Sequence, residues 1–319
     1  MSLKGITRAR AAALLGGAAL CAMTAPGRAQ TNPTIHIAIQ PIEGAAEVYY
    51  ANDMGFFAKA GLDAVIQTIQ ATSAITAAVA SGAVDIGFST VDVLAAIHQK
   101  HIPLVVIAPA AEYVSPDTAH ISALLLPINS PVHQAKDLNG KIIATPALHS
   151  LAETAVSVWI DKNGGDSSTI KFLEVPFPAM AAALDASRVD AAFVAEPFLG
   201  TVKKNARVLA YGFDDISKHF ISSAFFTMSQ WATVHPDLVS RFAAVMHQTA
   251  DWANKNPTQS GEILAKYTKL DPAVIGSMAR NRYGEQLTAA LMQPLIDVSA
   301  KYNGFTAFPA QELIYTPSR

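Results

Sequence analysis

The stretch GAVDIGFST, residues 82–90, has a near copy further along the chain in SRVDAAFVAEP, residues 187–197. Each follows an alanine-rich run, AITAAVAS in the first case and AMAAALDA in the second. Each places Val-Asp just ahead of a short apolar segment. The spacing of apolar residues predicts a helix, a tight stop and then a buried strand. One connection used twice predicts two similar α/β units. Asp85 and Asp190 open their strands. That is the end opposite the one where open α/β sheets bind ligands, so cap or turn roles are expected for both.

The same alternation extends outward from both copies. TIHIAIQP and LDAVIQTI read as strands, and GAAEVYYANDMGFFAKAG as one helix between them. ATSAITAAVASG reads as a helix with Thr72 or Ser73 as N-cap and Gly82 as its stop. TVDVLAAIHQKH is a helix and IPLVVIAPAA a buried strand. The pattern then restarts with HISALLLPI, KIIATP, the helix SLAETAVSVWIDKNGG, the strand IKFLEVP and a helix with Pro178 in its first position. SSAFFTMSQWA reads as a further strand. From His235 onward the chain is mostly helical. Strands alternating with helices of this length predict mainly parallel sheets. No low-complexity linker separates the units, so two closely coupled lobes are expected.

The N-terminus follows a different logic. Lys4, Arg8 and Arg10 precede the uncharged AAALLGGAALCAM, and small residues Gly27 and Ala29 follow. Charged, apolar and small-residue regions in that order predict a signal peptide, residues 1–29, cleaved after Ala29; the alternative is a buried N-terminal helix. The one cysteine, Cys21, lies in that segment. Leu20 before it argues against a lipid anchor. The remaining chain would use no disulfide, thiol catalysis or thiolate ligation. The balance of 23 basic and 25 acidic residues turns clearly acidic without Lys4, Arg8, Arg10 and Arg28. Such a surface excludes nucleic acid as an expected partner.

Four stretches carry a family resemblance: YYANDMGFFAKAGLD, AVASGAVDIGFST, AKDLNGKIIATP and ALDASRVDAAFVAEPF. In that order, they resemble the periplasmic solute-binding proteins of ABC importers, in the nitrate, sulfonate, taurine and thiamine-precursor-like group. The resemblance implies a two-lobed type II periplasmic binding protein fold, each lobe a mainly parallel sheet flanked by helices, with a two-strand hinge. Lobe 1 would be residues 34–112 plus 222–319, and lobe 2 residues 113–221. It implies a periplasmic monomer that captures a small molecule and delivers it to an inner-membrane ABC permease, without cofactor, metal or catalytic residue. The thiamine-precursor branch reads Pro-Asn and then a histidine three residues on, after its first strand. Ile42 and Ala45 stand there instead, which argues against that ligand. His149 and Ser150 likewise stand where the sulfonate binders carry small hydroxyl residues.

The strand-end rule selects loops independently of any resemblance. They are residues 40–47, 70–73 and 89–92 in the first unit, and 145–150, 176–178 and 195–197 in the second. The candidate ligand-binding residues are Gln40, Glu43, Ser89, Thr90, Glu112, Thr145, His149, Ser150, Phe177 and Glu196. Ser89, Thr90 and Ser150 are also natural helix caps, Phe177 also reads as core, and His149 as an exposed loop residue. Tyr49, Tyr50 and Glu47 are weaker candidates. No lysine or arginine falls in these loops, so an anion would rest on helix N-termini and hydroxyls. An organic carboxylate or sulfonate, possibly aromatic, is the first expectation, and an N-containing heterocycle the second. Several acids lining one cleft would favour a ligand with N–H or cationic groups over nitrate. No nucleophile elbow, zinc-protease helix or phosphate loop is present, so an enzyme such as a precursor synthase or lyase is the secondary reading. A sensor input remains a third.

Overall fold

The computed structural model describes residues 32–115 and 120–317. The expected signal peptide and its Cys21 lie outside the described residues. Two five-stranded sheets organise the chain. The first contains β1 (Thr34–Ile39), β2 (Asp63–Thr68), β3 (Ile86–Thr90) and β4 (Leu104–Pro109). The chain then crosses through β5 (Ala111–Val114) into the second sheet. That sheet holds β6 (Ser122–Pro127), β7 (Ile142–Thr145), β8 (Lys171–Glu174), β9 (Ala191–Ala195) and β10 (Ala206–Ala210). It returns through β11 (His219–Ile221) to β12 (Ser223–Met228), and β13 (Arg282–Tyr283) comes last.

The first sheet runs β2-β1-β3-β12-β4 and the second β8-β7-β9-β6-β10. In each, three strands are parallel, one runs against them, and the last pairs with that antiparallel strand. The antiparallel strand is in each case the one that follows a crossing (β12) or begins the second unit (β6). The two lobes are therefore the same winding built twice, and together they form the type II periplasmic binding protein fold. β5 and β11 pair antiparallel as the hinge. A third short strand, β13, joins them through Arg282 opposite Glu112 and Tyr283 opposite Ala111, an addition to the two-strand expectation.

The Val-Asp repeat has a physical explanation. The backbone N–H of Asp85 donates to the carbonyl of His36 at 2.9 Å, and its carboxylate accepts from the His36 N–H at 2.7 Å. Asp190 makes the same two bonds with Ile142, at 2.8 and 2.8 Å. Each aspartate thus pins the start of one strand to its parallel neighbour, β3 to β1 and β9 to β7, extending the parallel ladder where β-pairing has not begun. The connection before it also repeats. Gly82 and Ser187 take left-handed backbone, φ 74° and 53°. The next residue in each closes a six-to-one bond onto the preceding helix, Ala83 to Ala78 and Arg188 to Ala183, as in a Schellman stop. Asp85→Ala and Asp190→Ala are each expected to cost roughly 1.5–3 kcal/mol, the range for bonds to a charged acceptor. Denaturant unfolding should show losses of similar size in the two lobes.

Gly87 shows where the copies must differ. A Cβ there would lie 2.7 Å from the Phe226 ring and 2.8 Å from Val79. The matching position in the second lobe is Ala192. The expected single helix over residues 44–61 is broken. It forms a short turn at Glu43–Ala45, a helix at Glu47–Asp53 and another at Phe56–Lys59. The break is Gly55, whose φ of 68° is left-handed. The helix at Thr72–Ala80 is capped by Ala71, without a side-chain bond from Thr72 or Ser73. Pro178 is the second residue of its helix, Phe177–Asp185. SSAFFTMSQWA splits into β12 and the helix Ser229–Val234.

Burial follows the layers. One apolar cluster lies between the first sheet and the helix Pro236–Lys255, around Ile37, Phe57, Phe225 and Phe242. Another lies under the second sheet, around Leu125, Met180 and Val194. A third spans both lobes and takes in Leu295 and Ile296 of the helix Ala289–Asn303. That helix packs against β11 and against the helices Val91–His98 and Leu151–Lys162, one from each lobe.

Candidate functional site: a cavity between the lobes

The carboxyl ends of β1, β3, β7 and β9 converge on a single cavity. About 700 Å³ of empty space lies between its walls, the open mouth included. The first lobe contributes Gln40, Ile42, Gly44, Thr72, Phe88 and Thr90. The second contributes Ser122, Ser150, Leu151, Ala152, Phe177, Phe193, Ala195 and Glu196. Ala111, Ser222 and Ser223 come from the hinge crossings, and Asn281 from the C-terminal region. Among the described residues, no lysine, arginine or histidine lines it.

The repeat positions the walls. Counting from each Val-Asp, Phe88 matches Phe193 and Thr90 matches Ala195, and all four line the cavity. The pattern put Phe88 and Phe193 within reach of sequence reasoning, which did not single them out. Ser122, Ser222, Ser223 and Asn281 were also missed. The strand-end rule cannot select them, because they sit at strand starts or in a segment far along the chain.

The predicted residues divide into two groups. Gln40, Thr90, Ser150, Phe177 and Glu196 line the cavity. The Gln40 amide donates to the Gln70 carbonyl at 3.1 Å. Phe177 stacks on Phe198 with centroids 6.0 Å apart. Ser150 precedes the helix Leu151–Lys162, but its hydroxyl donates to the Ala147 carbonyl at 2.6 Å rather than capping the helix. Among the described residues, no protein group accepts from the N–H of Leu151 or Ala152. These two helix-terminal donors, on residues that line the cavity, are thus left unbonded among the described residues. The carboxyl of Glu196 accepts from the Gly200 N–H at 3.3 Å. Burial raises its pKa above the ordinary range, with the Gly200 and Ala279 N–H groups pulling it back.

The other five sit elsewhere. Glu43 is fully buried behind the cavity wall. One oxygen meets the Arg280 guanidinium, and the other accepts from the backbone and side-chain N–H of Asn281, both at 2.9 Å. Burial still outweighs these partners and raises its pKa. The Tyr283 hydroxyl donates to the Glu43 carbonyl at 2.8 Å. The loop carrying Ile42 and Gly44 is thereby tied to the segment that carries Asn281. Glu112 lies in the hinge strand, 3.2 Å from both Arg282 and His219. Ser89 is fully buried, and its hydroxyl has no partner. The Thr145 hydroxyl donates to the Ala147 carbonyl at 3.2 Å. His149 takes left-handed backbone, φ 54°, and its side chain faces a separate groove with Leu148 and Phe305. Tyr49 stacks on Tyr267 at 4.1 Å, and Tyr50 belongs to the Arg280 network.

Glu47 is fully buried and neither carboxyl oxygen has a partner. Burial alone pushes its pKa well above the usual range. Among the described residues, no three His, Cys, Asp or Glu side chains are placed to hold a metal ion. Among the described residues, no helix is long and apolar enough to cross a membrane.

Comparison with known proteins agrees with this geometry. A protein of Brucella abortus (strain 2308), named as a binding protein, is 28% identical over 156 residues. The match covers 48% of each chain, so the chain spans about half the length of the curated relatives it matches. The alkanesulfonate-binding protein SsuA from Xanthomonas axonopodis pv. citri, solved with MOPS, superposes with a TM-score of 0.72 at 18% identity, covering 88% of this chain and 98% of that one. The ligand-binding component of an ABC-type import system from Staphylococcus aureus gives 0.75 at 15% identity, covering 89% and 97%. At such identities these likenesses speak to fold. The model of the NMT1/THI5-like family matches residues 44–260. On that match, the chain belongs to the NMT1/THI5-like family.

Proposed function

We propose that the protein is the solute-binding component of an ABC-type importer, exported to the periplasm and delivering its cargo as a monomer to an inner-membrane permease. The reading rests on one observation above all. The binding ends of two identically wound sheets meet around a single cavity. Hinge closure around a solute is the use of such a fold that needs no covalent chemistry. Residues with catalytic spacing are not part of the reading, so the protein acts as a binder and not an enzyme.

The walls favour a small, planar, largely apolar solute. Phe88, Phe177, Phe193 and Phe213 supply aromatic surface, and Ile42, Leu151 and Ala195 add aliphatic area. Gln40 and Glu196 are placed to meet hydrogen-bond donors. Among the described residues, no cation lines the cavity to neutralise a compact inorganic ion. A nitrogen heterocycle or an aromatic with N–H or O–H groups therefore ranks ahead of nitrate. A second reading, an aromatic carboxylate or sulfonate, has its own support in the free N–H groups of Leu151 and Ala152, since a helix N-terminus favours an anionic end.

A thermal-shift screen of heterocycles, aromatic carboxylates and aromatic sulfonates tests both. A solute at a hundred times its Kd adds about 2.7 kcal/mol, a rise of roughly 4 °C for a chain of this size. Phe177→Ala and Glu196→Ala are each expected to weaken the best heterocycle at least tenfold. A carboxylate or sulfonate hit should respond to Phe177→Ala and bind Glu196→Ala as well as the wild type. Turnover of a hit, without a shift from any solute, would remove the binding-protein reading.

A further inference from the structure

Two carboxyls that the solute reading leaves unused lie beside the cavity floor, one from each lobe. Asp92 is the second residue of the helix Val91–His98, and Glu153 the third of Leu151–Lys162. The two helices touch. The residues just before these carboxyls, Thr90 and Ser150 to Ala152, line the cavity. Asp92 is fully buried and Glu153 is 6% exposed. Each has one oxygen bonded and one without a partner. Asp92 Oδ1 accepts from the Val93 N–H at 2.9 Å, and Glu153 Oε2 from the His149 N–H at 2.8 Å. Asp92 Oδ2 and Glu153 Oε1 have none.

The surroundings supply no counter-charge. Glu174, at the end of β8, adds a second negative influence on Glu153 beside that of Asp92. The helix Ala289–Asn303 packs on both helices and brings Asn303, which donates to the His149 carbonyl and the Thr154 hydroxyl. Lys301 and Tyr302 of that helix engage Asp161, two turns further along, and Asp297 bonds Gln293. Asp215, on the turn packed against Leu151–Lys162, pairs with Lys162, and its neighbour Asp214 with Lys218 and Tyr113. Lys136 and Asp137 lie on another packed turn, and Asp137 bonds the N–H groups of His133 and Gln134. His98 closes the far end of its helix and pairs with Glu312, and the His149 ring faces the outer groove. Among the described residues, no ion pair reaches either carboxyl.

Two neighbouring carboxyls shielded from water cannot both ionise cheaply. We propose that Asp92 and Glu153 form a proton-binding pair that sets the charge of the cavity floor and couples solute affinity to pH. The proposal rests on the reading of the cavity as the solute site. Burial pushes Asp92 up to about 7, against the bond from the Val93 N–H. Burial likewise brings Glu153 to about 7, with the charges of Asp92 and Glu174 adding to it. At pH 6 the floor is neutral, and the Leu151 and Ala152 N–H groups are open to the acceptor end of a solute. At pH 8 the carboxylates compete for the same helix termini and repel that end. With both groups near 7, a solute that binds only the form protonated at both carboxyls loses roughly a hundredfold in affinity between pH 6 and pH 8.

Two measurements on the full-length protein decide this. Carbon-detected NMR follows the side-chain carboxyls of Asp92 and Glu153 through a pH titration, in the wild type and in Asp92→Asn. Both should titrate above pH 6 in the wild type, and the Glu153 midpoint should fall in Asp92→Asn. Calorimetric titration with benzoate at pH 6, 7 and 8, in buffers of different ionisation enthalpy, should show proton uptake and roughly a hundredfold weaker binding at pH 8 than at pH 6. Asp92→Asn should flatten that dependence. Midpoints below pH 5 for both carboxyls overturn the proposal, as does benzoate binding that is independent of pH. If benzoate fails to bind while both carboxyls titrate near 7, the proton pair stands and the acceptor-end reading of the cavity falls.

Discussion

Arg280→Ala is expected to unfold the protein more readily than truncation of any side chain that lines the cavity. The guanidinium is the sole cation paired with Glu43, which is fully buried. It also meets the hydroxyls of Tyr50 at 3.2 Å and Ser260 at 3.0 Å. Removing one partner of a buried ion pair costs roughly 3–5 kcal/mol, because the remaining charge is stranded. For a chain of this length that corresponds to a fall of roughly 5–8 °C in Tm. Combining Glu43→Gln with Arg280→Ala should recover part of the loss, since the amide keeps the Asn281 bonds without a charge. The loop holding Ile42 and Gly44 against the cavity would also loosen, so solute affinity should fall with stability. A loss below about 1 kcal/mol would mean that Glu43 is already neutral and the pair is not what anchors this loop.

The second large effect is a fall in stability as pH rises from 5 to 8. Burial raises the pKa of Glu47, Asp92 and Glu153 above their unfolded values. The folded state therefore holds protons that the unfolded chain has released. The stability this confers is complete below about pH 4 and is lost as pH climbs toward the folded values, about 7 for Asp92 and Glu153. Each such group contributes a slope of about 1.4 kcal/mol per pH unit within its window. Asp137, Asp161 and Asp214 are shifted the other way. They are ionised in both states above pH 5, and so do not oppose the trend there. Urea unfolding at pH 5, 6, 7 and 8 should show ΔG declining. Glu47→Gln should flatten the profile by about one group's share. A profile that rises over this range would show that these carboxyls are ionised in the folded protein.

The architecture was legible because it rests on local, repeated chemistry. Val-Asp after an alanine-rich helix marks a turn whose carboxylate completes a parallel ladder, and that bond recurs in both lobes. Strand ends then pointed to Gln40, Thr90, Ser150, Phe177 and Glu196. The same rule also named Glu43, but its partner Arg280 lies 237 residues away. Nothing in either local sequence signals that pairing. His149 looked like a ligand residue because it sits in a binding loop. Its left-handed backbone and the bond from its N–H to Glu153 turn the ring toward another groove. Glu47 resembled any first-turn helical acid, and only the packing around it shows that it is buried without a partner. The helix break at Gly55 was visible as a glycine, but a glycine within an apolar run is often tolerated in a helix.

The central claim is that a small solute binds between the lobes. Amide chemical-shift mapping with the strongest solute from the thermal screen tests it most directly. Perturbations should concentrate at Leu151 and Ala152, at Ser122, Thr72 and Asn281, and along the hinge at Ala111, Ser222 and Ser223. Perturbations confined to the outer groove at Ala77, Ile97, His149 and Phe305, with the Leu151 and Ala152 amides unmoved, would contradict it.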